Sequence, residues 1–208
     1  MNGKFVTIEG LDGCGKGTVV ESLKELFAQN DNVVFLREPG GSKIGETIRS
    51  VILDPQNKGM TPTCEYLLFS ASRAQMVETI LKPLLKSGKT VICERFADSS
   101  IAYQGYGRDL DVEKIIDINN FATGGLVPDL TLYLKADAKT TFARSTGRGE
   151  LDRIELDGVT FQEKVMYGYE RLANRFADRY AVIDALKSRE EVYLQVTDAL
   201  KRAKIVKD

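Results

Sequence analysis

Short runs of β-branched and aromatic residues alternate along the chain with longer stretches whose apolar positions recur every three or four residues. Segments 4–9 (KFVTIE), 33–37 (VVFLR), 90–94 (TVICE), 130–135 (LTLYLK) and 180–184 (YAVID) are predicted strands. They are mostly apolar without clean alternation, the pattern of parallel strands covered on both faces. Segments 16–29, 43–53, 64–85, 112–122, 138–145, 161–178 and 189–203 are predicted helices. This alternation predicts an α/β fold: an open five-stranded parallel sheet with helices on both faces and right-handed crossovers. Sheets of that kind bind ligands beyond the carboxyl ends of their strands, so residues carrying chemistry should follow the strands.

The chain has 208 residues and no repeat, low-complexity segment or linker, which predicts one domain spanning 1–208. Lysine plus arginine number 29 against 30 acids, for a net charge of −1, so a nucleic acid polymer is not the expected partner. Any anion site must be built locally from a few arginines and backbone N–H groups. Histidine is absent, which removes Ser-His-Asp and Cys-His nucleophiles and leaves little from which to build a zinc site. The three cysteines, Cys14, Cys64 and Cys93, form no CxxC pair and fit a reducing, cytoplasmic setting. The N-terminus has no charged-then-apolar leader, and no apolar run approaches the roughly 20 residues that span a bilayer, so no membrane partner is expected.

Directly after the first predicted strand stands GLDGCGKGT, residues 10–18, with the G-x-x-x-x-G-K spacing of a phosphate-binding P-loop. Gly10, Gly13 and Gly15 let the backbone curl so that successive N–H groups face one concavity, and the helix that follows adds its positive end. Lys16 supplies a point charge for phosphate oxygens. Gly17 stands where the general motif carries a magnesium-binding hydroxyl, and Thr18 would point about 100° further around the helix. Direct hydroxyl ligation of Mg²⁺ is therefore not expected; water and a carboxylate can serve instead. Asp12 and Cys14 complete the loop. A carboxylate inside such a cradle needs a cationic or hydroxyl partner, and Cys14 reads as a small filler.

Further motifs follow in order: REPGG at 37–41, LLFSASRAQ at 67–75, ERFADSSIAYQG at 94–105, PDLT at 128–131 and RGELDRIE at 148–155. With these motifs the chain resembles the thymidylate kinases, of the bacterial type with a basic lid, over nearly its whole length. The resemblance implies a P-loop nucleotide kinase fold, a homodimer, and transfer of the γ-phosphoryl of ATP onto dTMP with Mg²⁺. It implies that Phe69 stacks on thymine and Arg73 bonds its O4. Ser99, Ser100, Tyr103 and Gln104 complete base and sugar recognition, with Tyr103 crowding a 2′-hydroxyl. Arg95 and Arg49 clamp the dTMP phosphate, while Asp12 and Glu38 act at its sugar–phosphate end. ATP lies on residues 10–18, with Arg144 on adenine. Glu94, where the family more often has aspartate, would hold Mg²⁺ through water.

The segment ARSTGRGELDRIE contains Arg144, Arg148 and Arg153, with Gly147 and Gly149 between them. The resemblance makes residues of about 145–156 a lid whose Arg148 and Arg153 reach the transition state, since the P-loop carries no arginine of its own. Lys16, Arg95, Arg148 and Arg153 are then the expected catalytic set. The competing expectation is a deoxynucleoside kinase acting on thymidine, whose strand-end Glu-Arg pair is similar but which lacks the 67–75 and 148–155 motifs.

Overall fold

The computed structural model describes residues 3–147 and 151–205. Five strands form one parallel sheet: β1 (Phe5–Gly10), β2 (Val33–Arg37), β3 (Thr90–Glu94), β4 (Leu130–Lys135) and β5 (Tyr180–Asp184). Their spatial order is β2-β3-β1-β4-β5, so the order reverses at β1, with β3 on one side and β4 on the other. β1 is buried along its entire length, as its near-continuous apolar run requires. In register, Ile8 lies beside Glu94, Gly10 beside Leu134, and Arg37 beside Glu94. The charged residues at the strand ends thus meet at one edge.

Helices α1 (Lys16–Leu26), α2 (Lys43–Leu53), α3 (Pro62–Met76), α4 (Lys82–Lys86), α5 (Ala97–Ser100), α6 (Val112–Thr123), α7 (Ala138–Thr146), α8 (Gly158–Arg175) and α9 (Arg189–Arg202) surround the sheet. Several begin on side-chain caps: Ser42 for α2, Thr61 followed by Pro62 for α3, Asp111 for α6 and Asp137 for α7. Ser188 and Glu191 form a reciprocal capping box on α9. One core cluster joins Ile8 and Leu132 to Leu23, Val165, Leu172 and Val196. A second packs Phe5, Val91, Cys93 and Phe96 under Met76, Leu81 and Leu85. No helix among the described residues is long and apolar enough to cross a membrane.

Two segments differ from the sequence-based expectation. The continuous helix expected over 64–85 is interrupted by a π-helical turn, Val77–Leu81, before α4. Pro83 has no N–H to donate and its ring crowds the carbonyl four residues back, so the helix widens by a residue rather than breaking. After β3 the chain forms α5 and then a second π-helical segment, Ile101–Gly107. That segment packs closely on α8 because both sides use glycine. A Cβ on Gly107 would stand 2.7 Å from the Phe161 ring, and one on Gly168 would stand 2.9 Å from Tyr106.

A buried ion pair fixes the start of α5 against the far side of the sheet. Arg179, just before β5, grips both Asp98 oxygens at 2.6 and 2.8 Å and also reaches Thr131 on β4. Tyr180 donates a third bond to Asp98 at 2.8 Å. The side chains are only 14% and 6% exposed, so removing one partner strands a charge in the interior. Asp98→Ala should therefore cost about 3–5 kcal/mol of unfolding free energy, measured by urea denaturation; a loss below about 1 kcal/mol would deny the pair its anchoring role.

Candidate active site

The loop after β1 curls through Gly10, Gly13 and Gly15, all at positive φ (143°, 83° and 103°). At Gly13 a Cβ would lie 2.2 Å from the Thr141 carbonyl of α7, so only glycine lets the loop press on that helix. Gly15 occupies the N-cap of α1 and brings no side-chain cap, which leaves the first-turn N–H groups available to an anion. Lys16 is buried and folds back over the loop, donating to the carbonyls of Leu11 at 2.8 Å and Gly10 at 3.2 Å.

Two clefts open from this loop. One is an apolar slot between α1 and α9, walled by Thr18, Val19, Leu23, Ala185, Val192 and Tyr193, with Arg144 at its rim. Arg144 also borders the open space over Lys16 and Gly17. The other cleft lies at the carboxyl ends of β2 and β3 and is lined by Phe69, Arg49, Arg95, Ser99, Tyr103 and Gln104, among others. Asp12, Arg49, Glu94 and Asp152 border both this cleft and the space above the loop. They mark the junction of the two.

Arg95 organises the junction. It is a non-glycine residue at φ 65°, a conformation whose strain is found where function over-determines the backbone. Its guanidinium donates to the Gly10 carbonyl (2.9 Å), Ser99 (3.2 Å), Tyr169 (3.3 Å), Asp12 (2.5 Å) and Tyr103 (3.1 Å). It also lies over the Tyr103 ring, 5.0 Å from its centre. Asp12 thereby finds the partners that a carboxylate in a phosphate loop needs, with Tyr103 donating a further bond at 2.8 Å. Burial opposes its ionisation, but the Arg95 and Lys16 charges outweigh that and hold the carboxyl well below its ordinary range.

The remaining expected residues fall into three groups. Phe69, Ser99, Ser100, Tyr103, Gln104, Glu38 and Arg49 all line the second cleft. Arg73 does not: it is 1% exposed behind the cleft wall. Four of its five N–H groups bond Glu38 (2.8 Å), Asn119 (2.8 Å), the Phe96 carbonyl (3.1 Å) and Ser100 (3.0 Å). Nor does Arg153 reach the phosphate loop. It is buried, donates from Nε to the Ile52 carbonyl at 2.7 Å, and lies 2.7 Å from Glu65. The attraction of a buried carboxylate accounts for that placement. Arg148 lies outside the described residues.

Three participants escaped the sequence reading. Tyr169, in the middle of α8, bonds Glu9 (2.8 Å) and Ser99 (2.9 Å) as well as Arg95. Glu9, inside β1, accepts from the Phe96 N–H (2.8 Å) and Ser99 (2.6 Å). Tyr193 belongs to the wall of the first slot. A glutamate within a buried strand was the one available signal for this second layer, because a buried carboxylate must be partnered.

Burial, reinforced by nearby Asp98, pushes the Glu9 carboxyl up to about 7, against the pull of Ser99, Arg95 and Tyr169. A carboxyl raised on folding gives stability that is complete below its ordinary value of 4.5 and is lost as pH climbs through about 7. Glu9→Gln removes that titration. Between pH 4.5 and 7, the wild type should lose stability relative to Glu9→Gln in parallel thermal or urea melts. A constant difference across the window would show that Glu9 does not titrate there.

The thymidylate kinase family model matches residues 8–196. The chain is 41% identical over 203 residues to a thymidylate kinase of Thermoanaerobacter sp. (strain X514), covering 97% of this chain and 99% of the relative. It is 44% identical over 210 residues to that of Pelotomaculum thermopropionicum, covering 100% and 96%. The crystal structure of thymidylate kinase from Ehrlichia chaffeensis superposes with a TM-score of 0.78 at 31% identity, covering 97% of this chain and 99% of that one. Phosphate loop, paired clefts and full-length likeness agree: the chain belongs to the thymidylate kinase family.

Proposed function

We propose that this chain transfers the γ-phosphoryl group of ATP to the phosphate of dTMP, forming dTDP and ADP. The observation that carries the reading is the meeting of two clefts over one phosphate loop, with Asp12, Arg49, Glu94 and Asp152 common to both. A donor triphosphate on the loop and an acceptor phosphate in the second cleft would then face each other there.

In this reading ATP takes residues 10–18, with Lys16 leaving the loop carbonyls for the phosphate oxygens and Arg144 stacking on adenine in the α1–α9 slot. Phe69 stacks on thymine, Ser99, Ser100 and Gln104 border it, and Tyr103 leaves no room for a 2′-hydroxyl. Arg73 acts at the base through its remaining N–H or through Glu38 and Ser100. Arg95 and Arg49 hold the acceptor phosphate, whose ionised oxygen attacks phosphorus without a side-chain base. That suits a chain with no histidine. Asp12 and Glu38 serve the sugar–phosphate end. The lid, about 145–156 within one domain spanning 1–208, brings Arg148 and Arg153 to the transferring group. For Arg153 this means exchanging Glu65 for phosphate oxygens.

Mg²⁺ usually keeps several waters and takes one or two carboxylates plus substrate phosphates. No ready cage of three ligands exists among the described residues, and Gly17 offers no hydroxyl. Glu94 at the junction fits a hydrated ion travelling with the nucleotide, held through water. There Mg²⁺ would neutralise phosphate charge.

The proposal includes a cytoplasmic homodimer. Free thiols at all three cysteines support the compartment. Val51, Leu67, Ile118 and Phe121 support the dimer, since these exposed apolar residues sit on α2, α3 and α6, which pack side by side. Phe121 is 89% exposed.

A coupled ADP-release assay with Mg·ATP and dTMP, dUMP, dCMP, AMP, GMP and thymidine tests the activity; turnover on thymidine with dTMP inert would overturn it. Lys16→Ala and Arg95→Ala should each lower kcat/KM for dTMP by roughly 10²-fold or more, with circular dichroism unchanged. Phe121→Glu should move the protein toward monomer in sedimentation velocity, and an unaltered species would remove α6 from the interface.

A further inference from the structure

Glu65 stands in the first turn of α3 and is 1% exposed. It lies behind the acceptor cleft rather than in its lining. Its Oε1 accepts from Gln104 Nε2 at 2.8 Å and from Arg108 Nε at 3.2 Å. Its Oε2 accepts from Arg108 Nη2 at 3.0 Å, and Arg153 Nη2 lies 2.7 Å away. Between two guanidinium groups the carboxyl is ionised: burial opposes this, and the Arg108 contacts outweigh it.

An ionised carboxylate has no hydrogen to give, so the end of an amide that faces it must be the NH₂. Gln104 is itself 1% exposed, yet it lines the cleft. With its NH₂ taken by Glu65, its oxygen is the end left over, and no hydrogen bond among the described residues reaches that oxygen. The cleft therefore presents a fixed acceptor that the protein itself leaves unsatisfied. Thymine and uracil carry a donor at N3; cytosine carries a bare lone pair there.

We propose that Glu65 is the positioning residue that turns the Gln104 amide oxygen toward the pyrimidine, so that the site selects rings with an N3–H and refuses cytosine. This rests on the reading of the second cleft as the dTMP site and adds to it the group that sets base choice. A polar group left unpaired by the wrong ligand discriminates far more sharply than an apolar pocket can. Glu65 acts only through Gln104. Its contact with Arg153 bears equally on every acceptor, so a ratio between two acceptors isolates the effect on the base.

Glu65→Asp keeps the charge that Arg108 and Arg153 need and withdraws the carboxylate by one methylene from the amide. The ratio of kcat/KM for dTMP over dCMP should fall about tenfold or more. The loss should come through a rise in KM for dTMP relative to dCMP, since any change in kcat passed on through Arg153 is shared by both acceptors. In a Gln104→Ala background the same substitution should leave the ratio unmoved, because the partner is gone. Wild type should also bind N3-methyl-dTMP at least about tenfold more weakly than dTMP by calorimetry. A Glu65→Asp ratio within about threefold of wild type, while wild type still prefers dTMP, overturns the inference and leaves the kinase reading intact. Equal binding of dTMP and its N3-methyl form overturns it as well, even if Glu65→Asp fails to fold. Wild type inert on dTMP would instead sink the kinase reading itself.

Discussion

The contact between Arg95 and Asp12 is the constraint on which the site depends. Asp12 belongs to the phosphate loop after β1 and Arg95 directly follows β3, so one ion pair ties the loop to the second cleft. A half-buried pair of this kind contributes little net stability, because desolvating two charges offsets most of their attraction. What it supplies is position. Arg95 also bonds Ser99, Tyr103 and Tyr169, so its guanidinium is held from several sides. On the proposed reading, a group already held in place loses little freedom when the reaction needs it, which is where preorganised catalysis gains its advantage.

A second layer holds the first. Glu9 beneath the loop fixes Ser99 and Tyr169, Asp98 ties the start of α5 to Arg179, and Glu65 orders Gln104. Each is a carboxylate that the fold has removed from water, and each would be costly if its partners were lost. The second cleft thus rests on polar bonds that reach into α3, α8 and the edge of the sheet. Its geometry is a property of the whole fold rather than of a loop.

The strands were legible because parallel strands covered on both faces leave apolar runs that end sharply at charged residues; 33–37, 90–94, 130–135 and 180–184 coincide with β2 to β5. The phosphate loop was legible because its glycines are demanded by backbone geometry. The π-helical turns were not, since Val77–Leu81 keeps the apolar spacing of an ordinary helix and only Pro83 betrays it. Glu9, Glu65 and Tyr169 stayed hidden for a different reason. Their partners lie tens of residues away in sequence, and no local spacing encodes a contact between Glu9 and Tyr169. The placement of Arg153 beside Glu65, not over the loop, likewise depends on a long-range attraction that the motif around it does not announce.

The contact between Gly13 and the Thr141 carbonyl makes the phosphate cradle and α7 a single mechanical piece. Arg144, one turn further along α7, rides on that piece beside the slot between α1 and α9. A residue with any side chain at position 13 would lever the helix outward and carry Arg144 with it. On the proposed reading, grip on the donor's phosphates and grip on its base are therefore not separate adjustments in this chain: a change that reshapes one retunes the other.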